Sequence, residues 1–459
     1  MKLHHLWSGL QKAFQPEDVP LPPPGLYHYL RERCDDRSRL HLRVDPDGRG
    51  TLLVNASRLF HLNPTAASMA YLTLEDEDDA QIIRLITRRY RISVRQARLD
   101  YTDFKSRLHE LIRPDGACPI HDLEVDIIAP FSAHPLAPYR MDLALTYRCN
   151  NDCGHCYNIR GGEDQSVGTN AELSTAEWQR VIDRLWDQGI PHILFTGGEP
   201  TLRDDLPELI EYAERKGQIT GLNTNGRRLS DPAYLQSLID AGLDHVQITL
   251  ESDDPLIHDQ MVCRKGAWQQ TVAAIRNALA SRLYVMTNTT MLRDNVATLG
   301  QTLDFLAELG VPTVGLNALI YAGRGAQVGS GLAESELYPL LNLARQRTSH
   351  HNQRLIWYTP TQYCHFDPVQ MELGVKGCTA ALYNMCIEPD GGVIPCQSAY
   401  RQVGNMLKDD WKTIWEHELC VRLRERRYAP EECKACALLA ECGAGCPLKL
   451  DMPLSLISA

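Results

Sequence analysis

The sequence has no apolar run long enough to cross a membrane, which takes about 20 residues, and its first residues lack the apolar core of a signal peptide. It also lacks an excess of basic residues, since 47 Lys and Arg stand against 58 Asp and Glu, a net charge of −11. Nucleic-acid binding depends on a basic surface that displaces phosphate counterions. We therefore expect a cytoplasmic protein with neither a membrane nor a nucleic acid as its partner.

The composition is that of an ordinary globular protein. Of the 459 residues, 44% are hydrophobic and 23% are charged. At about 100 to 200 residues per domain, the chain is long enough for about two to four domains. It contains 15 cysteines. Because the reducing cytosol keeps thiols free, clustered cysteines in such a chain indicate metal ligation rather than disulfides.

Three of the cysteines, Cys149, Cys153 and Cys156, lie on one short stretch. Three thiolates on a loop can bind three corners of an iron–sulfur cube and leave the fourth iron open to a small molecule. A structural zinc site is instead closed by four protein ligands. The alternatives are chance clustering at the surface and a zinc site with His155 as its fourth ligand.

Residues 142–322 alternate between short β-branched runs and amphipathic stretches, which predicts repeated βα units. The helix after the cysteine stretch begins with the capping box Ser174-Thr-Ala-Glu177 and carries Trp178 and Leu185 on its apolar face. Parallel sheets covered by helices bind ligands at the C-terminal ends of their strands, and the cysteine stretch follows the first strand. The predicted strands are 141–146, 192–196, 219–224, 245–250, 283–290 and 312–319.

The spacing Cys149-x3-Cys153-x2-Cys156, followed by the aromatic Tyr157, resembles the signature of the radical S-adenosylmethionine (radical SAM) superfamily. The resemblance implies an α/β fold, a partial (β/α)6 TIM-like barrel, with a [4Fe-4S] cluster on the three cysteines. It also implies that the open iron chelates S-adenosylmethionine (SAM), and that one electron cleaves SAM to methionine and a 5'-deoxyadenosyl radical. Such chemistry belongs to the cofactors, while the protein binds, positions and shields them.

Other segments at the predicted strand ends resemble the cofactor contacts of this superfamily. Gly197-Gly198-Glu199-Pro200 follows the second strand, and the resemblance implies that Glu199 contacts the methionine amino group of SAM. The glycines would let the ligand approach the backbone, and the alternative is an ordinary tight turn. The segments that contain Asn223, Glu251 and Ser252 resemble those around the ribose and carboxylate of SAM in this superfamily. The alternative is that these residues only form turns at the strand ends. The predicted cofactor-binding residues are Tyr157, Gly197, Gly198, Glu199, Pro200, Asn223, Glu251 and Ser252.

The C-terminal part holds seven more clustered cysteines. Pro389-Asp390-Gly391 predicts a hairpin turn between strands that carry Cys386 and Cys396, which brings their thiols together. Gly391-x4-Cys396 and the later Cys-x2-Cys-x5-Cys-x3-Cys run resemble the SPASM domain, which holds auxiliary iron–sulfur clusters in many peptide-modifying radical SAM enzymes. The resemblance implies a first auxiliary cluster on Cys378, Cys386, Cys396 and Cys446, and a second on Cys433, Cys436 and Cys442. A zinc site is the alternative, since Cys-x2-Cys pairs often bind zinc.

The second auxiliary cluster has only three cysteines in this assignment, because none follows Cys446 in the sequence given. Asp451, Cys420, a substrate atom or an open site is the candidate for the fourth position. Five cysteines fit neither cluster pattern and are interpreted as buried structural thiols. These are Cys34, Cys118, Cys263, Cys364 and Cys420.

The N-terminal part has a different character. Strands are expected at 41–44 and 51–55, then Leu62-Asn-Pro-Thr-Ala66, then helices around 79–89 and 94–112. This order resembles the PqqD-like recognition element for ribosomally synthesised, post-translationally modified peptides (RiPPs), a small winged-helix module. The resemblance implies that it binds the leader segment of a precursor peptide as an added strand at a sheet edge. A generic winged helix or a dimerisation domain is the alternative.

These features predict four regions: a leader-recognition domain at 1–115, a linker at 116–140, a radical SAM core at 141–330, and a bridging region with the SPASM domain at 331–459. The predicted function is modification of a precursor peptide by hydrogen abstraction, giving a crosslink or an epimer. A flavodoxin or ferredoxin is the expected reducing partner, and no residue is assigned as catalytic. A radical SAM enzyme acting on a small molecule such as a tetrapyrrole, and a noncatalytic metal-binding adaptor, are the alternatives.

Overall fold

The computed structural model describes residues 22–33, 36–55, 58–112, 135–158 and 172–449. The chain divides into two compact units, Met1–Ile128 and Ala129–Ala459. Most of the predicted linker lies outside the described residues, as do Cys34, Cys118 and Asp451. Within these ranges, no helix combines the length and the apolar character that crossing a membrane requires.

The first unit begins with an antiparallel sheet of four strands in sequential order, β1 to β4. Three helices, α1 to α3, follow. The strands are Gly25–Arg33, Asp36–Val44, Gly50–Val54 and Arg58–Leu62, and the helices are Pro64–Leu74, Asp79–Tyr90 and Val94–Ile112. The expected strands at 41–44 and 51–55 and the expected helices at 79–89 and 94–112 are confirmed. β1 and β4 are additional strands, and they form the two edges of the sheet.

Helix α1 is the centre of this unit because it is buried on two faces. Its N-terminus is capped by Asn63, whose side chain accepts a hydrogen bond from Ala66 N. One face places Ala67, Ala70 and Leu74 against buried leucines of β2 and β3, and the other places Met69 and Leu72 against α2 and α3. Each fully buried leucine contributes about 1.5–3 kcal/mol, so the strand-then-helix order is held by packing on both sides of α1.

The second unit is built on a sheet of ten strands in the order β11-β10-β9-β8-β7-β6-β5-β12-β13-β14. Strands β5 to β11 lie in chain order, and each neighbouring pair among them is parallel. They are Arg140–Thr146, His192–Gly197, Ile219–Thr224, His245–Thr249, Tyr284–Thr290, Thr313–Asn317 and Arg354–Trp357. The six predicted strands are confirmed, and the unit has the α/β architecture of a partial (β/α)6 barrel.

Helices connect these strands and cover one side of the sheet. They are α4 (Thr175–Asp187), α5 (Leu206–Lys216), α6 (Pro232–Asp240), α7 (Pro255–Met261), α8 (Ala267–Leu279), α9 (Leu299–Glu308) and α10 (Glu334–His350). Helix α4 has the predicted capping box, in which Ser174 and Glu177 exchange side-chain and backbone hydrogen bonds. The predicted core residues Trp178 and Leu185 are fully buried.

The C-terminal strands extend the barrel sheet rather than forming a separate one. β12 (Asn384–Ile387) runs parallel to β5, and it forms the predicted hairpin with β13 (Gly392–Ile394). β14 (Gly404–Asn405) completes the sheet. Four short helices follow: α11 (Trp411–Trp415), α12 (Glu418–Arg424), α13 (Glu431–Lys434) and α14 (Leu439–Cys442). The C-terminal cysteines are therefore carried on elements continuous with the barrel.

Candidate active site

The stretch with Cys149, Cys153 and Cys156 forms a loop at the C-terminal end of β5, as expected. Backbone hydrogen bonds hold it on both sides: Asp152 N donates to Val262 O at 3.0 Å, and Gly325 N donates to Cys156 O at 3.0 Å. The loop is thus anchored between the end of α7 and the segment after β10. Its conformation does not depend on the loop sequence alone.

The three thiols are close enough to influence one another. Burial raises the pKa of Cys149 to about 11, and the neighbouring Glu199 and Cys156 contribute to the rise. Burial is also the main cause of the raised pKa values of Cys153 and Cys156, with repulsion between their thiolates adding to that of Cys153. A bound metal removes thiol protons by its own charge, so buried, mutually repelling thiols fit a cationic centre.

Donors around the loop stabilise the thiolate form. Asn151 N donates to Cys149 Sγ at 3.4 Å, and Asn225 Nδ2 lies 4.0 Å from the same sulfur. The Arg324 guanidinium lowers the pKa of Cys156, although burial of that thiol is the larger effect. Arg324 is held by Asp152, whose Oδ1 accepts from Nη1 at 2.5 Å. The loop therefore has the donor set expected around a cluster held by thiolates.

The Gly197-Gly198 pair packs directly on the cysteine loop. Gly198 N donates to Thr146 O and Glu199 N donates to Arg148 O, each at 2.8 Å. A Cβ at Gly197, where φ is +135°, would lie 2.2 Å from Thr146 O, and one at Gly198 would lie 2.4 Å from Arg148 O. The close approach that these glycines permit is between two segments of the protein backbone.

Glu199 is fully buried behind this pair. Its Oε1 accepts hydrogen bonds from Thr201 Oγ1 at 2.6 Å and from Thr224 Oγ1 at 2.7 Å, and its Oε2 accepts from Asn225 N at 2.8 Å. Burial raises the pKa of Glu199, and these donors oppose the rise. The carboxylate ties the ends of β6 and β7 together and lies beside Cys149. Oε2 accepts one hydrogen bond from the protein, so it can accept a further one from a donor placed beside it.

Glu251 is engaged mainly with the cysteine loop. Its Oε1 lies 3.0 Å from His155 Nε2, and its Oε2 accepts from Thr290 N at 2.9 Å. Both side chains are buried, with 10% of His155 and 1% of Glu251 exposed. His155 was a possible zinc ligand from its position among the cysteines, whereas the structure directs its Nε2 to this carboxylate. Glu251 thereby fixes the orientation of the loop from the end of β8.

The other predicted contact residues differ in their surroundings. Ser252 is buried, and its Oγ accepts from Asp254 N at 3.1 Å and lies 3.2 Å from Thr298 Oγ1, so it shapes the start of α7. Asn223 lies near the C-terminal end of β7 and is partly exposed. Pro200 is buried and begins a turn of 3-10 helix that follows Glu199.

The end of the cysteine loop contacts the C-terminal domain. Tyr157 Oη donates to Gln397 Oε1 at 3.3 Å, and burial raises the pKa of Tyr157 above its ordinary value. The next residue, Asn158, accepts from Tyr400 Oη at 2.7 Å and donates to Gly197 O at 3.0 Å. Asn158, Gln397 and Tyr400 were not predicted as site residues, because no spacing in the sequence relates the loop to so distant a segment.

The C-terminal cysteines form two groups. Cys378, Cys396 and Cys446 line an apolar cavity of about 40 Å³. Burial raises the pKa of Cys378 and Cys396 to about 12 each, and repulsion from Cys446 adds to both. Cys386 lies on β12 outside the cavity lining, where burial and the charges of Asp142 and Cys396 raise its pKa. The thiol-lined cavity fits a buried metal centre.

The second group, Cys433, Cys436 and Cys442, lies on α13, α14 and the turn between them. Cys436 N donates to Cys433 O at 3.0 Å, and this turn continues into α14 through Leu439 N and Cys436 O at 3.1 Å. Cys436 is exposed, and the other two are partly exposed. Among the described residues, no set of three or more His, Cys, Asp or Glu side chains is grouped tightly enough for a single metal ion.

Two of the cysteines interpreted as buried structural thiols are not buried. Cys263 and Cys364 are exposed, because each lies in an irregular segment at the surface rather than in a helix or strand. Cys420 is fully buried, as expected, and packs in the main hydrophobic core on α12. It lies apart from the three cysteines of the second group.

Two domain matches define the class of the protein. Residues 143–306 match the radical SAM superfamily, and residues 378–437 match SPASM, an iron–sulfur cluster-binding domain. The chain therefore contains a radical SAM domain and a SPASM domain. The cofactors of these domains are SAM, the [4Fe-4S] cluster of the radical SAM domain and auxiliary iron–sulfur clusters, which favours an enzyme over a noncatalytic adaptor.

A curated protein and a solved structure are similar to this chain. The Fe-coproporphyrin III synthase of Methanosarcina barkeri is 35% identical over 205 residues, which cover 44% of this chain and 50% of that enzyme. The chain thus matches about half the length of this curated relative. SuiB of Streptococcus suis bound to its precursor peptide SuiA has the same fold over 92% of this chain and 96% of its own, with a TM-score of 0.65 and 14% identity.

Two further solved structures share the fold. SuiB bound to S-adenosylmethionine aligns over 92% of this chain and 96% of its own, with a TM-score of 0.67 and 16% identity. The structure of anSMEcpe with AdoMet and the Cp18Cys peptide aligns over 67% of this chain and 89% of its own, with a TM-score of 0.53 and 17% identity.

Proposed function

We propose that this enzyme modifies a ribosomally synthesised precursor peptide. The observation that carries the proposal is the fold similarity to SuiB, which extends over 92% of this chain. The SuiB structure in this comparison contains a bound precursor peptide. A similarity confined to the barrel would leave the first unit without an explanation. We infer that the first unit holds a leader segment while the core segment reacts in the barrel.

The first unit offers a sheet edge for a peptide. Among the described residues, β1 and β4 each pair with a single strand, so they are the edges at which a further strand could be added. β4 is only five residues long and is partly exposed along most of its length. A leader held on the same chain raises the local concentration of the core segment to the order of millimolar for a short flexible link.

The residues of the second unit have supporting roles in this proposal. Cys149, Cys153 and Cys156 would hold the radical SAM cluster, and Glu199 Oε2 would accept a hydrogen bond from the amino group of SAM. When bound, the cluster and SAM supply the 5'-deoxyadenosyl radical that abstracts a hydrogen atom from the peptide. His155, Glu251 and Asn158 hold the loop in place, and no residue of the described chain is assigned as a proton donor.

The C-terminal cysteines complete the assignment. Cys378, Cys396 and Cys446 would hold the first auxiliary cluster in their cavity, with Cys386 as the predicted fourth ligand, and Cys433, Cys436 and Cys442 would hold the second. In the cytoplasm, a flavodoxin or a ferredoxin would supply the electrons. The product would be a crosslink or an epimer.

The test uses the full-length, anaerobically reconstituted enzyme with a precursor peptide encoded beside its gene. We expect 5'-deoxyadenosine and a mass change in the core segment, both abolished when Cys149, Cys153 and Cys156 are replaced together by alanine. A matched peptide without its leader should react at least about tenfold more slowly if the leader supplies local concentration. Equal rates with and without the leader would contradict recognition by the first unit.

A second candidate is modification of a tetrapyrrole. It is favoured by the 35% identity to the Fe-coproporphyrin III synthase over 205 residues. Incubation of the same enzyme preparation with Fe-coproporphyrin III, SAM and a reductant separates the two proposals. Turnover of the porphyrin without any mass change in the peptide would replace the first proposal by the second.

A further inference from the structure

We propose that Cys364 is the fourth protein ligand of the second auxiliary site, together with Cys433, Cys436 and Cys442. The sequence places Cys364 far upstream of the other three, in the segment after β11. It belongs to no spacing pattern, so its role emerges only from the folded chain. The proposal concerns the metal site alone and does not depend on which substrate the enzyme takes.

The first step is the contact between two segments. Tyr363 N donates a hydrogen bond to Cys442 Sγ at 3.4 Å, and the Cys442 thiol faces Thr361 O at 3.6 Å. The backbone of 361–363 is therefore wrapped around one of the three sulfurs. Cys364 directly follows Tyr363 in the chain, and successive Cα atoms are about 3.8 Å apart. The backbone of Cys364 is therefore close to the segment that contacts Cys442.

The second step is the position of the thiols around Cys433. Burial is the main cause of the raised pKa of Cys433. The negative charges of nearby groups raise it further, and these groups are Glu432, Cys364, Cys442 and Cys436. At physiological ionic strength, repulsion between solvated charges is largely screened beyond about 8–10 Å. Cys364 therefore lies near Cys433, as Cys442 and Cys436 do, which agrees with the contact between residues 361–363 and Cys442.

The third step is the geometry of the ligand set. Cys433 and Cys436 lie on one turn, Cys442 follows on α14, and Cys364 approaches from a separate segment. Four cysteines are the usual ligand set of a [4Fe-4S] cluster, and a protein that provides four leaves no iron open. Such a closed site suits electron transfer rather than binding of a small molecule.

The other described cysteines outside the two patterns fit the fourth position less well, and Asp451 lies outside the described residues. Cys420 is fully buried in the main core, and the charged group that influences its pKa is that of Arg424 rather than that of another cysteine. Cys263 is exposed, but it follows α7, where its Sγ lies 3.5 Å from Gln260 O. Among the described cysteines outside the two patterns, Cys364 alone is found beside the second group.

Alkylation of the native holoenzyme tests the proposal without any substitution. Cys364 and Cys263 are both exposed, so Cys263 is the matched control. With iodoacetamide under anaerobic conditions, we expect Cys263 to be modified while Cys364 is protected at least about tenfold, as read by peptide mass spectrometry. Protection should disappear once iron is removed by a chelator. Equal modification of both cysteines in the iron-loaded enzyme would overturn the proposal.

Two variants give an independent readout. Cys364→Ala should lower the iron and acid-labile sulfide content by about one third, for a chain with three [4Fe-4S] clusters, or change the EPR spectrum of one reduced cluster. Cys263→Ala should leave both unchanged. If Cys364→Ala does not fold, Cys364→Ser preserves the size of the side chain, and a changed EPR spectrum would support the assignment. Iron content and spectra identical to those of the unsubstituted enzyme would overturn it.

Discussion

Tyr400 donates its hydroxyl hydrogen to Asn158 Oδ1 over 2.7 Å, and Asn158 donates in turn to Gly197 O over 3.0 Å. Tyr400 belongs to the C-terminal domain, Asn158 ends the cysteine loop, and Gly197 starts the Gly-Gly-Glu-Pro segment. Asn158 is buried, so its amide depends on these partners. One side chain thus connects the three parts of the second unit that carry its chemistry.

Replacing Tyr400 by phenylalanine should weaken this connection. The variant keeps the ring but leaves Asn158 Oδ1 buried without its donor, which costs about 1–3 kcal/mol. We expect a lower unfolding temperature of the second unit in differential scanning calorimetry and slower SAM cleavage. Tyr338→Phe is the control, since Tyr338 is 52% exposed. Identical unfolding temperatures for the two variants would refute the proposed connection.

A methyl group at Gly198 should disrupt the site. Its Cβ would lie 2.4 Å from Arg148 O and 2.7 Å from Tyr147 O, both of them backbone atoms. We expect Gly198→Ala to lose SAM binding by at least about tenfold, because the cysteine loop must move. Gly300→Ala is the control: it lies in α9 with no contact nearer than 3.9 Å, and we expect it to be neutral or stabilising by about 0.5–1 kcal/mol. Calorimetry and equilibrium dialysis with SAM measure both effects, and unchanged SAM affinity in Gly198→Ala would contradict the packing argument.

Glu199→Gln tests the buried carboxylate. A glutamine amide has one acceptor oxygen, whereas Glu199 uses both oxygens, accepting three hydrogen bonds at Oε1 and one at Oε2. At least one donor would then be left without a partner, at about 1–3 kcal/mol. We expect lower stability together with weaker SAM binding. As a control, Glu208→Gln should alter neither quantity, because Glu208 is exposed. An unchanged SAM affinity in Glu199→Gln would contradict the proposed contact between Glu199 and SAM.

Acid should destabilise the barrel through His245. Burial lowers the pKa of His245 to about 4, and its Nε2 lies 2.9 Å from His192 Nε2. A histidine of the unfolded chain titrates near its ordinary pKa, about 6.5. Between these two values the unfolded state binds more protons, so stability is present above about pH 6.5 and is lost as the pH falls towards 4. We expect a loss of about 3 kcal/mol from this group over that pH range.

Urea denaturation of the second unit at pH 7 and pH 5 measures the effect. His245→Gln should reduce the difference between the two pH values relative to the unsubstituted enzyme. The exposed His350, replaced in the same way, should leave that difference unchanged. A pH dependence that survives intact in His245→Gln would show that another group causes it.

Local patterns predicted much of this fold. The capping box at Ser174 and the alternation of apolar runs predicted α4 and the strands β5 to β10, because each feature is encoded within about 15 residues. β11 and the pairing of β12 with β5 were not predicted, since strand pairing between distant segments leaves no local periodicity. The hairpin at Pro389-Asp390-Gly391 was predicted because its turn chemistry is local.

The site was predictable to a similar extent. The spacing of Cys149, Cys153 and Cys156 identified the loop, but not the side chains that hold it. The role of His155 beside Glu251 and the approach of Gly198 to Arg148 depend on tertiary contacts. Cys364 illustrates the limit most clearly, because a ligand contributed by a separate segment has no motif spacing by which to identify it.

The parallel pairing of β12 with β5 has a consequence for protein engineering. β5 leads directly into the cysteine loop, and β12 satisfies its backbone hydrogen-bonding groups on one side. A truncated chain that ends before β12 would present that side of β5 as a free edge for pairing with a second molecule. The barrel and the cysteine-rich domain should therefore be expressed and exchanged together as one unit. In domain-grafting experiments, the chain should be cut outside both.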